Sequence, residues 1–195
     1  MKISNKLKQR IKYYCFKLPR VIKYRFLSTN ENVSGYPIMN QPLQMNGLGK
    51  IIFGDNVTIG IDPSPYLYSS YCYVEARNSH SVIKIDSSSF INNGCTLIAE
   101  GDGIEIGKKC LIGTGCEIFD SDFHNLDPQL RLDPHSIKTQ KVILEDNVFL
   151  GSNVKVLKGV TIGENSVIAN GSVVTKSIEA NVVAGGIPAK KIKDL

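Results

Sequence analysis

The chain contains no tryptophan, only three methionines and three histidines among 195 residues, and not one acid in its first 25. Each shortage removes an option. No run of 18 apolar residues occurs, so no membrane-spanning helix is expected. The N-terminus lacks the uninterrupted apolar segment of a secretion signal, which points to a cytoplasmic protein. The five cysteines are odd in number, scattered and free of any CxxC, a pattern against a disulfide framework or a structural zinc site. Cys95, Cys110 and Cys116 fall at core positions of the repeat below, and Cys15 lies on the apolar side of an N-terminal helix. All read as small buried hydrophobes. His80 and His135 sit in no motif and read as surface residues. Three histidines are also a poor basis for a metal centre, since His124 and His135 stand eleven apart in one segment.

The net charge of +5 is unevenly placed. Residues 1–25 hold nine Lys/Arg and no acid, leaving 14 bases against 18 acids for the rest. Nucleic-acid binding by the main body is therefore disfavoured. The length suits one domain with a sizeable core: a basic amphipathic arm over 1–30 and a single unit over 31–195.

What the sequence has in abundance is a six-residue period. From Leu144 it reads LEDNVF, LGSNVK, VLKGVT, IGENSV, IANGSV and VTKSIE, with an aliphatic residue at 144, 150, 156, 162, 168 and 174. Three positions later come Asn147, Asn153, Gly159, Asn165, Gly171 and Ser177. One further on stand Val148, Val154, Val160, Ser166, Ser172 and Ile178. Six is neither the helical 3.6 nor simple alternation. It fits a short strand and a bend, the aliphatic residue turned inward and Asn or Gly tolerating positive φ at the bend. Three units close an 18-residue triangular coil, and coils stack at about 4.8 Å into an all-β solenoid. Earlier units begin at 85, 91, 97, 106, 112 and 118, and FGDNVT at 53 is the first clear one. Three breaks stand out: a bulge near Gly101-Asp102-Gly103, an insertion between 60 and 84, and a segment of about 20 residues from 121 to 141, a length usually reserved for function. That last break is set in the stretch FDSDFHNLDPQLR.

The run LGSNVKVLKGVTIGENSVIANGSVVTKSIEANVVAGGIPAKKIK resembles the C-terminal half of the hexapeptide-repeat acyltransferases, and most closely the galactoside and maltose O-acetyltransferase branch. That branch has a loop opening with a histidine and a short LDP…R segment, matched here by His124, Leu126-Asp127-Pro128 and Arg131. The resemblance covers roughly residues 50–193. It implies a left-handed parallel β-helix, to which the spacing of the first 30 residues adds an N-terminal helical arm, with a short C-terminal tail or helix at the other end. It also implies a homotrimer with acetyl-CoA as co-substrate between subunits, no metal, and a saccharide acceptor.

By resemblance His124 is the general base that takes the proton of a sugar hydroxyl as it attacks the thioester, a role suited to an imidazole. Glu100, Asp120, Asp122 or a backbone carbonyl would orient it. Asn92 matches an acceptor-binding asparagine, and Phe149 stands where the family commonly has Trp in WIG. The coenzyme side is assigned to Gly151, Ser152, Asn170, Gly171, Thr175 and Lys176, with Lys190 and Lys193 toward the phosphates. N-acetylation of an amino sugar, acylation of an antibiotic, a three-histidine zinc carbonic anhydrase and a non-catalytic solenoid are the competing readings. In the arm, Ile3, Leu7, Ile11, Tyr14, Cys15 and Leu18 recur at helical spacing between lysines. Such a helix either caps the open end of the solenoid or meets anionic lipid at the inner membrane surface, where surface glycans are assembled on lipid carriers.

Overall fold

The computed structural model describes residues 4–195; Ile3 of the arm lies outside the described residues. The body is a parallel β-helix of six coils, each made of three short strands. Coil one holds β1 (Val33–Ser34), β2 (Ile38–Met39) and β3 (Leu43–Asn46), and coil two holds β4 (Lys50–Phe53), β5 (Thr58–Ile59) and β6 (Cys72–Ala76). Coil three is β7 (Val82–Ile85), β8 (Phe90–Ile91) and β9 (Thr96–Ala99); coil four is β10 (Ile104–Ile106), β11 (Leu111–Ile112) and β12 (Glu117–Phe119). Coil five is β13 (Val142–Leu144), β14 (Phe149–Leu150) and β15 (Lys155–Val156), and coil six is β16 (Thr161–Ile162), β17 (Val167–Ile168) and β18 (Val173–Val174). The first strands of all coils stack as sheet A, the second as sheet B and the third as sheet C.

The repeat positions account for the packing. Ile106 pairs in register with Leu144, Ile112 with Leu150 and Ile118 with Val156, and all six are at most 3 % exposed. Successive inward side chains thus form continuous columns, the favourable burial that offsets the cost of ordering so many short strands. Asn147, Asn153, Gly159, Asn165 and Gly171 all take positive φ, as the bends require; Ser177 does not. Lys109 and Ser88 do so as well, showing that the bend imposes the conformation even on residues that disfavour it. At the next position a buried hydroxyl or thiol donates to a turn carbonyl: Ser166 to Glu179, Cys95 to Gly113 and Cys116 to Gly151, at 2.7, 3.1 and 3.1 Å. Cysteine and serine are interchangeable there because each satisfies the same backbone acceptor.

Two expectations need correction. Cys15 is exposed rather than buried, whereas Cys72, Cys95, Cys110 and Cys116 are buried. The arm is helical from Asn5 to Phe26, with a π-helical stretch at Lys12–Lys17, but its contacts lie in the second half. Leu18, Val21 and Tyr24 are half-buried, Tyr24 stacks on Tyr71 at 4.2 Å, and Arg20 donates to the carbonyls of Leu67 (2.8 Å) and Ser70. Leu7, Ile11 and Tyr14 stay exposed. Of the stripe expected to cap the solenoid, Leu18 alone among its described members is half-buried, and the covering contacts come from Val21 and Tyr24 beyond it.

The insertion after coil two's second strand is narrower than expected, because regular pairing resumes at Cys72. Buried Asn93 and Gln41 hold it, Asn93 donating to the carbonyls of Ile61 and Pro65 and Gln41 to that of Tyr66. At the other end β19 (Val182–Gly186) joins sheet B, and β20 (Ala189–Asp194) folds back antiparallel on it. The C-terminal tail is therefore a strand, not a helix. Among the described residues no helix is long and apolar enough to cross a membrane.

Candidate active site

The bulge and the long loop, which the sequence presents as two separate irregularities, form one device. Both lie at the corner where the chain passes from sheet C to sheet A, on adjacent coils. The carboxylate of Asp120 is fully buried and accepts the backbone N–H groups of Glu100, Gly101 and Gly103 at 2.7, 3.0 and 2.9 Å. Burial pushes this carboxyl above its usual range, against the pull of those three N–H groups. The loop neck is an antiparallel pairing: Gln140 N–H donates to the Asp120 carbonyl (2.8 Å) and Asp122 N–H to that of Lys138 (3.1 Å). Thr139 on the returning strand lies against Gly101, where a Cβ would stand 2.3 Å away. Glycine at 101 is what lets the neck seat on the bulge.

Beyond the neck the loop is held by its own polar residues. Asn125 and Asp127 accept the N–H groups of Asp127 and Gln129, and Asn125 Nδ2 donates to the Ser136 carbonyl at 2.8 Å. Arg131 donates to the Leu126 carbonyl at 3.3 Å. The LDP…R segment is thus structural in this chain: its polar atoms fold the loop. Its carbonyl at Arg131 lies 3.2 Å from Nδ1 of the exposed His124. A carbonyl can only accept, so Nδ1 is the donor in this bond, and in the neutral imidazole the free lone pair is on Nε2, directed away from it.

The three acids considered for orienting His124 are engaged elsewhere within the chain. Asp120 holds the bulge, Asp122 pairs with Lys158 at 3.0 Å, and Glu100 accepts from Arg77 at 3.2 Å and from the Ser121 hydroxyl. The backbone carbonyl takes their place. Arg77, which the six-residue period does not single out, is the centre of this corner: it also binds Glu75 at 3.0 Å and lies over the Phe123 ring at 5.1 Å.

Five of the other expected site residues group at a different corner, between sheets B and C. Asn92, Gly151, Ser152, Asn170 and Gly171 all follow sheet B strands there. Asn92 and Phe149 border one hollow of about 240 Å³ with Phe90, Leu111 and Gly113. Asn92 Oδ1 accepts the Asn93 N–H at 2.7 Å. Gly151 is buried, and a Cβ there would lie 2.2 Å from Asn170 Oδ1, which itself caps the Ser152 N–H at 2.8 Å. Asn170, itself exposed, thus ties this corner to the coil below it. Thr175 and Lys176 are exposed at the C-to-A corner, and Lys190 and Lys193 are exposed on β20. A single chain thus keeps His124 and Asn92 at separate corners. Among the described residues no His, Cys, Asp and Glu cluster suited to a metal ion is present.

Residues 141–176 match the family model described as the hexapeptide repeat of succinyl-transferase. The galactoside O-acetyltransferase of Lactococcus lactis is 36 % identical over 162 residues, 80 % of this chain and 72 % of that protein. An Escherichia coli K12 protein named for lipopolysaccharide biosynthesis O-acetyl transfer is 30 % identical over 163 residues, covering 80 % of this chain and 78 % of its own length. Among solved structures, a mutant N-acyltransferase from Bacillus cereus, in complex with dTDP and coenzyme A, superposes with a TM-score of 0.65 at 20 % identity, over 98 % of this chain and 89 % of that one. At that identity the likeness is one of fold. With six stacked coils of the repeat and extended identity to a galactoside O-acetyltransferase, this chain belongs to the hexapeptide-repeat acetyltransferases, enzymes built on the left-handed parallel β-helix.

Proposed function

We propose that the chain transfers the acetyl group of acetyl-CoA directly to a sugar hydroxyl of a surface polysaccharide or its precursor, with His124 as general base. The observation that carries this reading is the bond between His124 Nδ1 and the Arg131 carbonyl at 3.2 Å, which in the neutral imidazole puts the lone pair on Nε2. Nε2 takes the hydroxyl proton as the sugar oxygen attacks the thioester carbonyl. The tetrahedral oxyanion collapses, the C–S bond breaks, and the imidazolium returns its proton to the CoA thiolate. Such a base contributes about 10²–10⁴-fold. Backbone N–H groups at the coil turns are the available oxyanion donors.

The names of the Lactococcus and Escherichia coli relatives, galactoside and lipopolysaccharide, support a saccharide acceptor. Residues 31–195 form the catalytic unit and 1–30 the arm. A homotrimer completes the site: Phe90, Leu111 and Phe149 form an exposed apolar stripe on the outer face of sheet B, and Leu126 and Leu132 are 82 % and 90 % exposed on the loop. Docked against a second copy, the loop brings His124 to the Asn92 and Phe149 hollow of its neighbour. The coenzyme runs along the corner of Gly151, Ser152, Asn170 and Gly171, with Lys190 and Lys193 toward its phosphates. The exposed Leu7, Ile11 and Tyr14 between lysines support a peripheral contact of the arm with anionic lipid at the inner membrane surface.

The test is CoA thiol release from acetyl-CoA over a panel of sugars, amino sugars and oligosaccharides, for the intact protein and for His124→Ala. Sugar-dependent release that drops at least about a hundredfold in the variant is expected. Release that survives the substitution removes His124 from its role, and release confined to amino sugars replaces O- by N-acetylation.

A further inference from the structure

We propose that Arg77 is the positioning residue for His124, acting through Glu100, Ser121 and Phe123. The inference rests on the reading of His124 as the base and adds the part of the scaffold that aims it.

The residue before the histidine is the key. Phe123 has φ of 60°, a left-handed conformation that a bulky side chain rarely takes. Such a conformation persists only where the surroundings dictate it. Three contacts do so here. The Phe123 N–H donates to Ser121 Oγ at 2.9 Å, the Ser121 hydroxyl donates in turn to Glu100, and the Phe123 ring lies edge-on to Phe119 with centroids 5.4 Å apart. Arg77 organises them all. Its guanidinium donates to Glu100 at 3.2 Å, fixing the carboxylate that receives Ser121, and lies over the Phe123 ring at 5.1 Å. Glu75 holds the opposite edge of the guanidinium at 3.0 and 3.3 Å, and Tyr73 donates to Glu75 at 3.0 Å. Lysine cannot replace a planar, forked cation that binds two carboxylates and stacks on a ring at once. Reversal of Phe123 to negative φ would swing the backbone at His124 and break the Nδ1 bond to Arg131, leaving the proton on either ring nitrogen.

The experiment compares Arg77→Lys and Arg77→Gln with Lys155→Met, which removes a surface ion pair to Glu117 on the same sheet. Steady-state constants are measured for acetyl-CoA and the acceptor, together with the ¹⁵N shifts of the His124 imidazole. Both Arg77 variants should lower kcat by at least about tenfold at unchanged KM for acetyl-CoA, since a misplacement near 1 Å costs up to about a hundredfold. Their spectra should show mixed His124 tautomers where the parent shows protonated Nδ1 alone, and Lys155→Met should match the parent. Full kcat in Arg77→Lys overturns the proposal, and so does a lowered kcat with the single tautomer kept. If His124→Ala proves active, the base assignment fails by itself, while the tautomer spectra still decide whether Arg77 positions the ring.

Discussion

The carboxylate of Asp120, the residue at which the long loop leaves the fourth coil, accepts the backbone N–H of Gly103 at 2.9 Å in the bulge that joins the third coil to the fourth. One buried carboxylate therefore fastens the bulge below and begins the neck above. Three donors converge on its two oxygens, so no neutral isostere serves all three.

Replacing Asp120 by Asn turns one acceptor into an N–H₂ facing backbone donors. A loss of about 1–3 kcal/mol is expected, the cost of leaving buried polar groups unpaired. Urea denaturation of the two proteins measures it, and equal midpoints would mean the carboxylate is not what secures the bulge.

Leu144 and Leu132 differ in environment though not in chemistry. Leu144 is 1 % exposed in a continuous aliphatic column, and Leu132 is 90 % exposed at the loop. Leu144→Ala should cost about 2–5 kcal/mol through lost transfer energy and a cavity. Leu132→Ala should stay within about 0.5 kcal/mol in monomer stability. A trimer that dissociates more readily in the Leu132 variant would locate that leucine at the subunit boundary.

The cysteines give a chemical readout of the fold. Burial pushes the Cys110 thiol up to about 11, and Cys72, Cys95 and Cys116 are equally enclosed. Only Cys15 is exposed. Native protein at neutral pH should show one fast thiol with an aromatic disulfide reagent, the other four appearing on denaturation, and Cys15→Ser should show none. Rapid modification of a second thiol would contradict the packing of the columns.

The repeat was readable because every inward position serves the same end, filling a column: Ile85, Ile106, Leu144 and Ile162 stack in one and are all aliphatic. The place of the loop was readable for the converse reason, since the hexads stop there. Less legible were the contacts between irregular segments. Nothing in the spacing says that Gly101 accommodates Thr139, that Asp120 serves the bulge instead of the histidine, or that Arg77 bridges two carboxylates and an aromatic ring, for these link residues far apart in sequence without a period. The arm misled in a third way: helical spacing revealed an apolar stripe, but a stripe does not say how much of its length the body covers. The terminal strand was hidden because GGIPAKKIK carries no alternation of its own.

The coil is also a length gauge. The loop departs between coils four and five, and the antiparallel β20 closes the stack after coil six. Each coil advances the axis by about 4.8 Å, so the height separating the loop from the Lys190–Lys193 end is counted in whole strand spacings, about 14 Å for the three between β14 of coil five and β20. A duplicated 18-residue unit spliced in at 145–162 would leave every column aliphatic and every bend intact, yet lift one end of the molecule by about 5 Å relative to the other. Evolution or design can therefore tune the span between the two regions in fixed steps without repacking the core.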